Sequence, residues 1–190
     1  METILNIDFA ILDFIQTTIK CVALDVVMAI FTYACSKGII WIAAAVTMLF
    51  FRKTRAIGVA VLAALVLSLL LGEFGIKLLV RRPRPFLLNT NVTLSIVAPS
   101  GYSFPSGHTA SSFAAAMVIA VRGKRWMGIC AFVAAVMIAF SRLYFYVHFP
   151  TDVLAGAVLG VLCGLIVLFI FKKTKLDDRI NRIGRSKQPD

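Results

Sequence analysis

The 190-residue chain contains two histidines, His108 and His148, each inside a short polar cluster. The first cluster reads Pro105-Ser106-Gly107-His108. The second begins Ser141-Arg142 and continues through His148 to Asp152. Upstream, Lys77 precedes Arg81-Arg82-Pro83-Arg84-Pro85. Arginine matches phosphate oxygens through its planar fork of donors. Lys77, Arg84 and Arg142 together supply positive charge for a phosphoryl group, whose transition state spreads negative charge over its equatorial oxygens. Taken alone, a histidine near a membrane reads as a packed or interfacial residue, and any one of the three cations as a side chain snorkelling to the membrane surface.

The elements that must position them are membrane helices. The chain is 60% hydrophobic with a mean hydropathy of +0.91, against about 45 to 50% apolar residues in soluble domains. A spanning helix takes roughly 20 apolar residues, so the length fits a single membrane domain. Apolar runs predict about five spans, at 38–51 (extendable backwards), 56–80, 104–121, 126–146 and 151–171. Residues 4–19 mix apolar positions with Asn6, Asp8, Asp13 and Gln16, as an interfacial helix does. Residues 25–34 are apolar but short, and Lys37-Gly38 separates them from the next run, which leaves open whether they span. The expected fold is an all-α integral-membrane bundle of about five to six transmembrane helices with an N-terminal interfacial helix. Its parts are an N-terminal segment 1–37, a core 38–171 and a basic tail 172–190.

The net charge of +11 sits in short stretches between apolar runs, a pattern of membrane topology that argues against a nucleic-acid partner. Arg52-Lys53-Thr54-Arg55, Arg122-Gly123-Lys124-Arg125 and Lys172-Lys173-Thr174-Lys175 mark the cytoplasmic side by the positive-inside rule. The connections 81–103 and 146–150 then face outward, and they carry the candidate residues. The arginines of 81–84 violate the rule, an exception that a phosphate site would explain. Cys21, Cys35, Cys130 and Cys163 have no metal-site spacing and are expected to pack as small hydrophobes. Glu2, Asp8 and Asp13, with no basic region before an apolar stretch, predict a retained N-terminus.

Lys77-x6-Arg84-Pro85, Pro105-Ser106-Gly107-His108 and Ser141-Arg142-x5-His148-x3-Asp152 resemble, in order and internal spacing, the three signature motifs of the type 2 phosphatidic acid phosphatase family. The resemblance covers residues 38–171. It implies an enzyme that hydrolyses a membrane lipid phosphate or diphosphate. By that resemblance, His148 attacks phosphorus to give a phosphohistidine that water hydrolyses, and Asp152 orients and charges the imidazole. His108 protonates the leaving-group oxygen and later activates the water. Lys77, Arg84, Ser106, Gly107 and Arg142 hold the phosphate, supported by Pro85, Pro105 and Ser141. No cofactor is implied, because two histidines and one aspartate in separate roles leave no ligand set of the usual zinc kind.

Further expectations follow from position. Ser106 opens a helix as its cap, with the amides near Gly107 and His108 turned toward an anion. Glu73 lies one turn before Lys77, where a carboxylate at mid-depth costs about 2.5 to 3.5 kcal/mol, so it is expected to face the bundle and pair with Lys77. The pair either positions the lysine or is purely structural. Gly156, Gly160 and Gly164 form a small-residue stripe for packing within the bundle, with a homodimer face as the alternative. Tyr102, Tyr144 and Tyr146 read most simply as an aromatic belt, or else line a lipid entrance. The tail reads as an anchor near anionic headgroups. The expected location is a cell membrane, multi-pass, with the site on the extracytoplasmic face. Undecaprenyl diphosphate is the leading substrate, with phosphatidylglycerophosphate or phosphatidate as alternatives. A non-enzymatic lipid-phosphate-binding protein or transporter is the reading from another class.

Overall fold

The computed structural model describes residues 2–34, 38–176 and 180. Cys35 and Lys37, and the tail beyond residue 176 apart from Ile180, lie outside the described residues. Among the described residues every regular element is helical. The N-terminal part comprises α1 (Glu2–Phe14), a π-helical turn (Ile15–Ile19) and α2 (Val22–Ala34). Next come α3 (Ile39–Phe50) and α4 (Arg55–Leu69), which passes through a second π-helical turn (Leu70–Ile76) into α5 (Lys77–Val80). The remaining helices are α6 (Pro85–Leu88), α7 (Gly107–Arg122), α8 (Arg125–Tyr144) and α9 (Pro150–Thr174).

The polarity of these helices is inverted relative to a water-soluble protein. In α1, Asp8 and Leu12 are buried while Ile4, Ile7, Ile11 and Phe14 are exposed. In α9, glycines and Asp152 face inward and Leu154, Val158, Leu162 and Phe169 face out. That arrangement suits a lipid solvent, in which outward apolar side chains carry no penalty. Stretches Arg55–Leu88, Arg125–Tyr144 and Pro150–Thr174 are long and apolar enough to cross a membrane, and α2 with α3 adds a fourth if the two form one bent span. At 16 residues α7 is about 24 Å long, short for a hydrocarbon core of about 30 Å. It packs against α4, α8 and α9, and protein rather than lipid surrounds much of it.

Small residues make this packing close. Ala45, Ala60, Ala64, Ala114, Ala115, Ala116 and Ala135 are fully covered in the main core. The stripe Gly156, Gly160 and Gly164 lies against α7 of the same chain. A Cβ on Gly156 would stand 2.6 Å from the Ser106 carbonyl oxygen, and one on Gly160 would strike the Ala110 carbonyl. This settles the stripe's use as internal packing, the first of the two expectations. At the start of α3, Gly38 holds φ 74°, a left-handed conformation that glycine adopts at no steric cost.

Two expectations change. Tyr144 and Tyr146 are not belt residues: both are fully buried, with their hydroxyls donating at 2.8 Å to Asp25 and Asp13 respectively. Of the cysteines, Cys163 is buried as expected, but Cys21 and Cys130 are exposed.

The glycine contacts give a graded expectation. Gly160→Ala puts a methyl into the α7 backbone and should destabilise the protein by about 1–3 kcal/mol. Gly72→Ala meets only the Leu159 side chain at 3.4 Å, so its transition should stay close to that of the wild type. Thermal unfolding of both variants in the same detergent checks the ranking.

Candidate active site

His148 lies in the short connection between α8 and α9, is 2% exposed, and has its two ring nitrogens on different neighbours. Nε2 is 3.2 Å from an Arg84 terminal nitrogen. A guanidinium offers only donors, so Nε2 must present its lone pair and the ring proton belongs on Nδ1. Nδ1 faces Oδ2 of Asp152 at 3.7 Å and makes no hydrogen bond in this conformation. A closure of about 0.8 Å would form one, the kind of tightening that catalytic contacts undergo on engaging a ligand. Burial pushes the His148 pKa down to about 3, with the Arg142 and Arg84 charges adding to the effect and Asp152 opposing it. The imidazole is therefore neutral at neutral pH, with an uncharged Nε2 lone pair able to attack.

Asp152 is the third residue of α9, and its carboxylate is fully enclosed. Oδ2 accepts from the Phe149 amide at 2.9 Å, one half of a capping box, and from the Ser103 hydroxyl. Oδ1 accepts from Arg82 at 2.7 Å. Pro150 at the first helical position fixes the entry of the chain. The sequence that starts α9 thus also builds the carboxylate's surroundings.

Arg84, 4% exposed, is more committed than a simple phosphate clamp would be. Its Nε donates to the Gly101 carbonyl at 2.9 Å, one terminal nitrogen to the Ser100 carbonyl at 3.0 Å, and the other to the Val147 carbonyl at 3.0 Å and to His148. Four of its five N–H groups are engaged, which leaves one for an incoming anion. Pro85, buried beside it, opens α6.

The second cluster caps α7. Ser106 accepts from the Thr109 amide at 3.4 Å and from the Thr109 hydroxyl at 2.9 Å, and its own amide donates to the Asp152 carbonyl at 3.0 Å. The cap is as expected, but Ser106 is fully covered, so the N-terminal backbone of α7 at Gly107 and His108 is what it can turn toward an anion. Pro105 is buried ahead of it. The electrostatic neighbours of His108 are Arg142, His148, Lys77 and Arg84. Arg142, 3% exposed, reaches the Thr32 hydroxyl on α2, and the adjacent Ser141 hydroxyl returns to the Ile138 carbonyl at 2.7 Å. Lys77 and Glu73 form the expected ion pair at 2.6 Å.

Sequence reasoning did not assign Arg82, Asp8 or Ser103 to the site. Arg82 bridges Asp8 and Asp152 at 2.7 Å each, donates to Thr151 at 2.7 Å, and stacks over the Phe149 ring at 3.9 Å. Asp8 in turn accepts from the Thr151 amide at 3.1 Å and hydroxyl at 2.6 Å. Helix α1 is thereby locked onto the start of α9. It also holds the His148 connection through Tyr146, whose hydroxyl bonds Asp13 and accepts from Asn89 at 3.1 Å. Burial, followed by the Asp13 contact, raises the Tyr146 phenol pKa to about 12, which keeps it a neutral donor. The misplaced arginine cluster was the available signal for Arg82, but nothing in the spacing named its carboxylates.

The fold and site together define a class: a helical membrane bundle in which a neutral imidazole, backed by a shielded carboxylate, lies among arginines. A model of the PAP2 superfamily matches residues 55–175, and the chain belongs to that family. It is 32% identical over 133 residues to an undecaprenyl-diphosphatase of Sulfolobus acidocaldarius, covering 70% of this chain and 64% of that one. The chain spans from 33% to 64% of the length of the first curated relatives that it matches. Among solved structures, Aquifex aeolicus LpxE superposes with a TM-score of 0.74 at 32% identity, covering 84% of this chain and 93% of that one. The PAP2 type phosphatidylglycerolphosphate phosphatase of Bacillus subtilis gives 0.75 at 28% identity, covering 91% and 88%.

The Arg82 bridge yields an expectation for stability. Arg82→Gln leaves two buried carboxylates without their shared cation and should cost about 3–5 kcal/mol. Adding Asp8→Asn removes one of those charges and should restore part of the loss. Thermal unfolding of the single and double variants in detergent measures both effects.

Proposed function

We propose that this protein is a membrane lipid phosphatase that works through a phosphohistidine on His148. The observation that carries the reading is the orientation of that ring, with Nε2 toward Arg84 and Nδ1 toward Asp152. In the first step the Nε2 lone pair attacks phosphorus and the bond to the leaving lipid oxygen breaks. The leaving oxygen takes a proton from His108. Asp152, stabilised by Arg82 and Ser103, supports the positive charge that develops on the imidazole. In the second step His108 takes a proton from water, the water oxygen attacks phosphorus, and the P–N bond breaks to release inorganic phosphate. Lys77, Arg84, Arg142 and the first backbone amides of α7 stabilise the equatorial oxygens throughout. The cations around His108 are offset by an arriving phosphate, which favours the protonated imidazole that the first step needs.

The substrate we favour is undecaprenyl diphosphate, converted to undecaprenyl phosphate, which suits a cation cluster in a bundle whose flanks are apolar. Relatives and structural neighbours described as acting on undecaprenyl diphosphate and on phosphatidylglycerophosphate support this substrate class. The three basic stretches at 52–55, 122–125 and 172–175 support a site on the extracytoplasmic face of a cell membrane.

Purified protein should release phosphate from undecaprenyl diphosphate faster than from phosphatidylglycerophosphate or phosphatidate. His148→Ala should reduce this by at least about 10⁴-fold, since the nucleophile is lost. Release from none of the three, with retained binding of the lipids, would favour the non-enzymatic reading. For sidedness, Thr90→Cys in a background lacking the native cysteines should react with an impermeant maleimide from outside intact cells. Reaction only after permeabilisation would invert the orientation.

A further inference from the structure

Glu73 lies on the phosphate side of the cluster, and the motifs give it no task. Its carboxylate has three relations to the residues proposed to hold phosphate. Oε1 lies 2.6 Å from the Lys77 ammonium. The same oxygen rests against Gly107, so closely that a Cβ there would collide with it. Its charge also acts on Arg84. A carboxylate oxygen and a phosphate oxygen seek the same N–H donors, and the two cannot share one place.

An i,i+4 pair closes on many helices and by itself indicates nothing more. Two features set this one apart. The oxygen bound to the lysine is also the one that covers the first residue of α7, at the helix end where anions are favoured. Exposure is uneven too: the Lys77 side chain is 11% exposed and the Glu73 side chain 37%. The lysine side chain is almost enclosed, whereas more than a third of the glutamate side chain is uncovered. Beneath Glu73 the backbone is the π-helical turn Leu70–Ile76, a local irregularity of the kind found at functional sites.

On the phosphatase reading above, we propose that Glu73 is a built-in competitor for phosphate. Before substrate arrives its carboxylate takes the position between Lys77 and Gly107. The phosphate group being hydrolysed displaces it, and it returns as inorganic phosphate leaves. It thereby limits how tightly the product is held by the three cations.

The test is inorganic phosphate itself, measured by equilibrium binding and by product inhibition on the full-length protein in detergent. Wild type, Glu73→Gln and Glu73→Asp are compared. A carboxylate that holds the position for about 70 to 90% of the time makes Glu73→Gln bind phosphate about three- to tenfold more tightly. KM falls by a similar factor and kcat does not rise. A glutamate that only positions Lys77 gives the opposite sign, with Glu73→Gln binding phosphate more weakly and Glu73→Asp restoring part of the loss. That result, or unchanged affinity, overturns the proposal. Should Glu73→Gln not fold, Glu73→Asp decides alone: its shorter arm withdraws from Gly107 and tightens binding, and weaker or equal binding overturns the proposal. A wild type that neither binds phosphate nor releases it from lipid defeats the phosphatase reading and this inference with it. Wild-type turnover without tightening in the variants defeats this inference alone.

Discussion

The structure depends on one guanidinium shared by two buried carboxylates. Arg82 lies between Asp8 and Asp152, and removing the one cation that two buried carboxylates share is costly. The arrangement joins the N-terminal helix to the helix that carries the carboxylate behind His148. It also leaves Oδ2 of Asp152 for Ser103, the Phe149 amide and the imidazole. Without the bridge, the capping of α9, the docking of α1 and the setting of His148 would lose a common support.

Around this hub the bundle is built for closeness. Alanines and glycines at the α4, α7 and α9 contacts bring backbones together, which compensates for the absence of a hydrophobic driving force between helices in lipid. The start of α7 is tied to α9 through the Ser106 amide and the Asp152 carbonyl. The two helices that supply His108 and Asp152 are therefore in register by backbone contact. Side-chain placement at the site inherits that precision.

Much of this was legible in the sequence. Apolar runs located α4, α7, α8 and α9, because membrane helices need long uninterrupted stretches. The three spaced motifs identified the residues that surround His108 and His148. Other features were not legible, for identifiable reasons. Tyr144 and Tyr146 looked like belt residues because composition cannot reveal that an aspartate from α1 or α2 waits opposite each hydroxyl. Asp8 looked like the polar face of an interfacial helix, yet it is the buried face. Polarity in a membrane protein does not say which way a residue points until its partner is known, and Arg82 is 74 positions away. Arg84 was expected from the motif as a phosphate ligand, but its engagement with Ser100, Gly101 and Val147 depends on loop carbonyls that no motif encodes.

That engagement has a mechanical side. One terminal nitrogen of Arg84 holds both the Val147 carbonyl and the His148 ring, and the Val147 amide is held in turn by the Arg142 carbonyl at 3.2 Å. The residue before His148 is thus moored on both sides by residues of the cation cluster. An anion that draws Arg84 forward tugs on the backbone that carries His148. A pull on that one guanidinium would then reach the His148 ring both through its own hydrogen bond and through the neighbouring peptide.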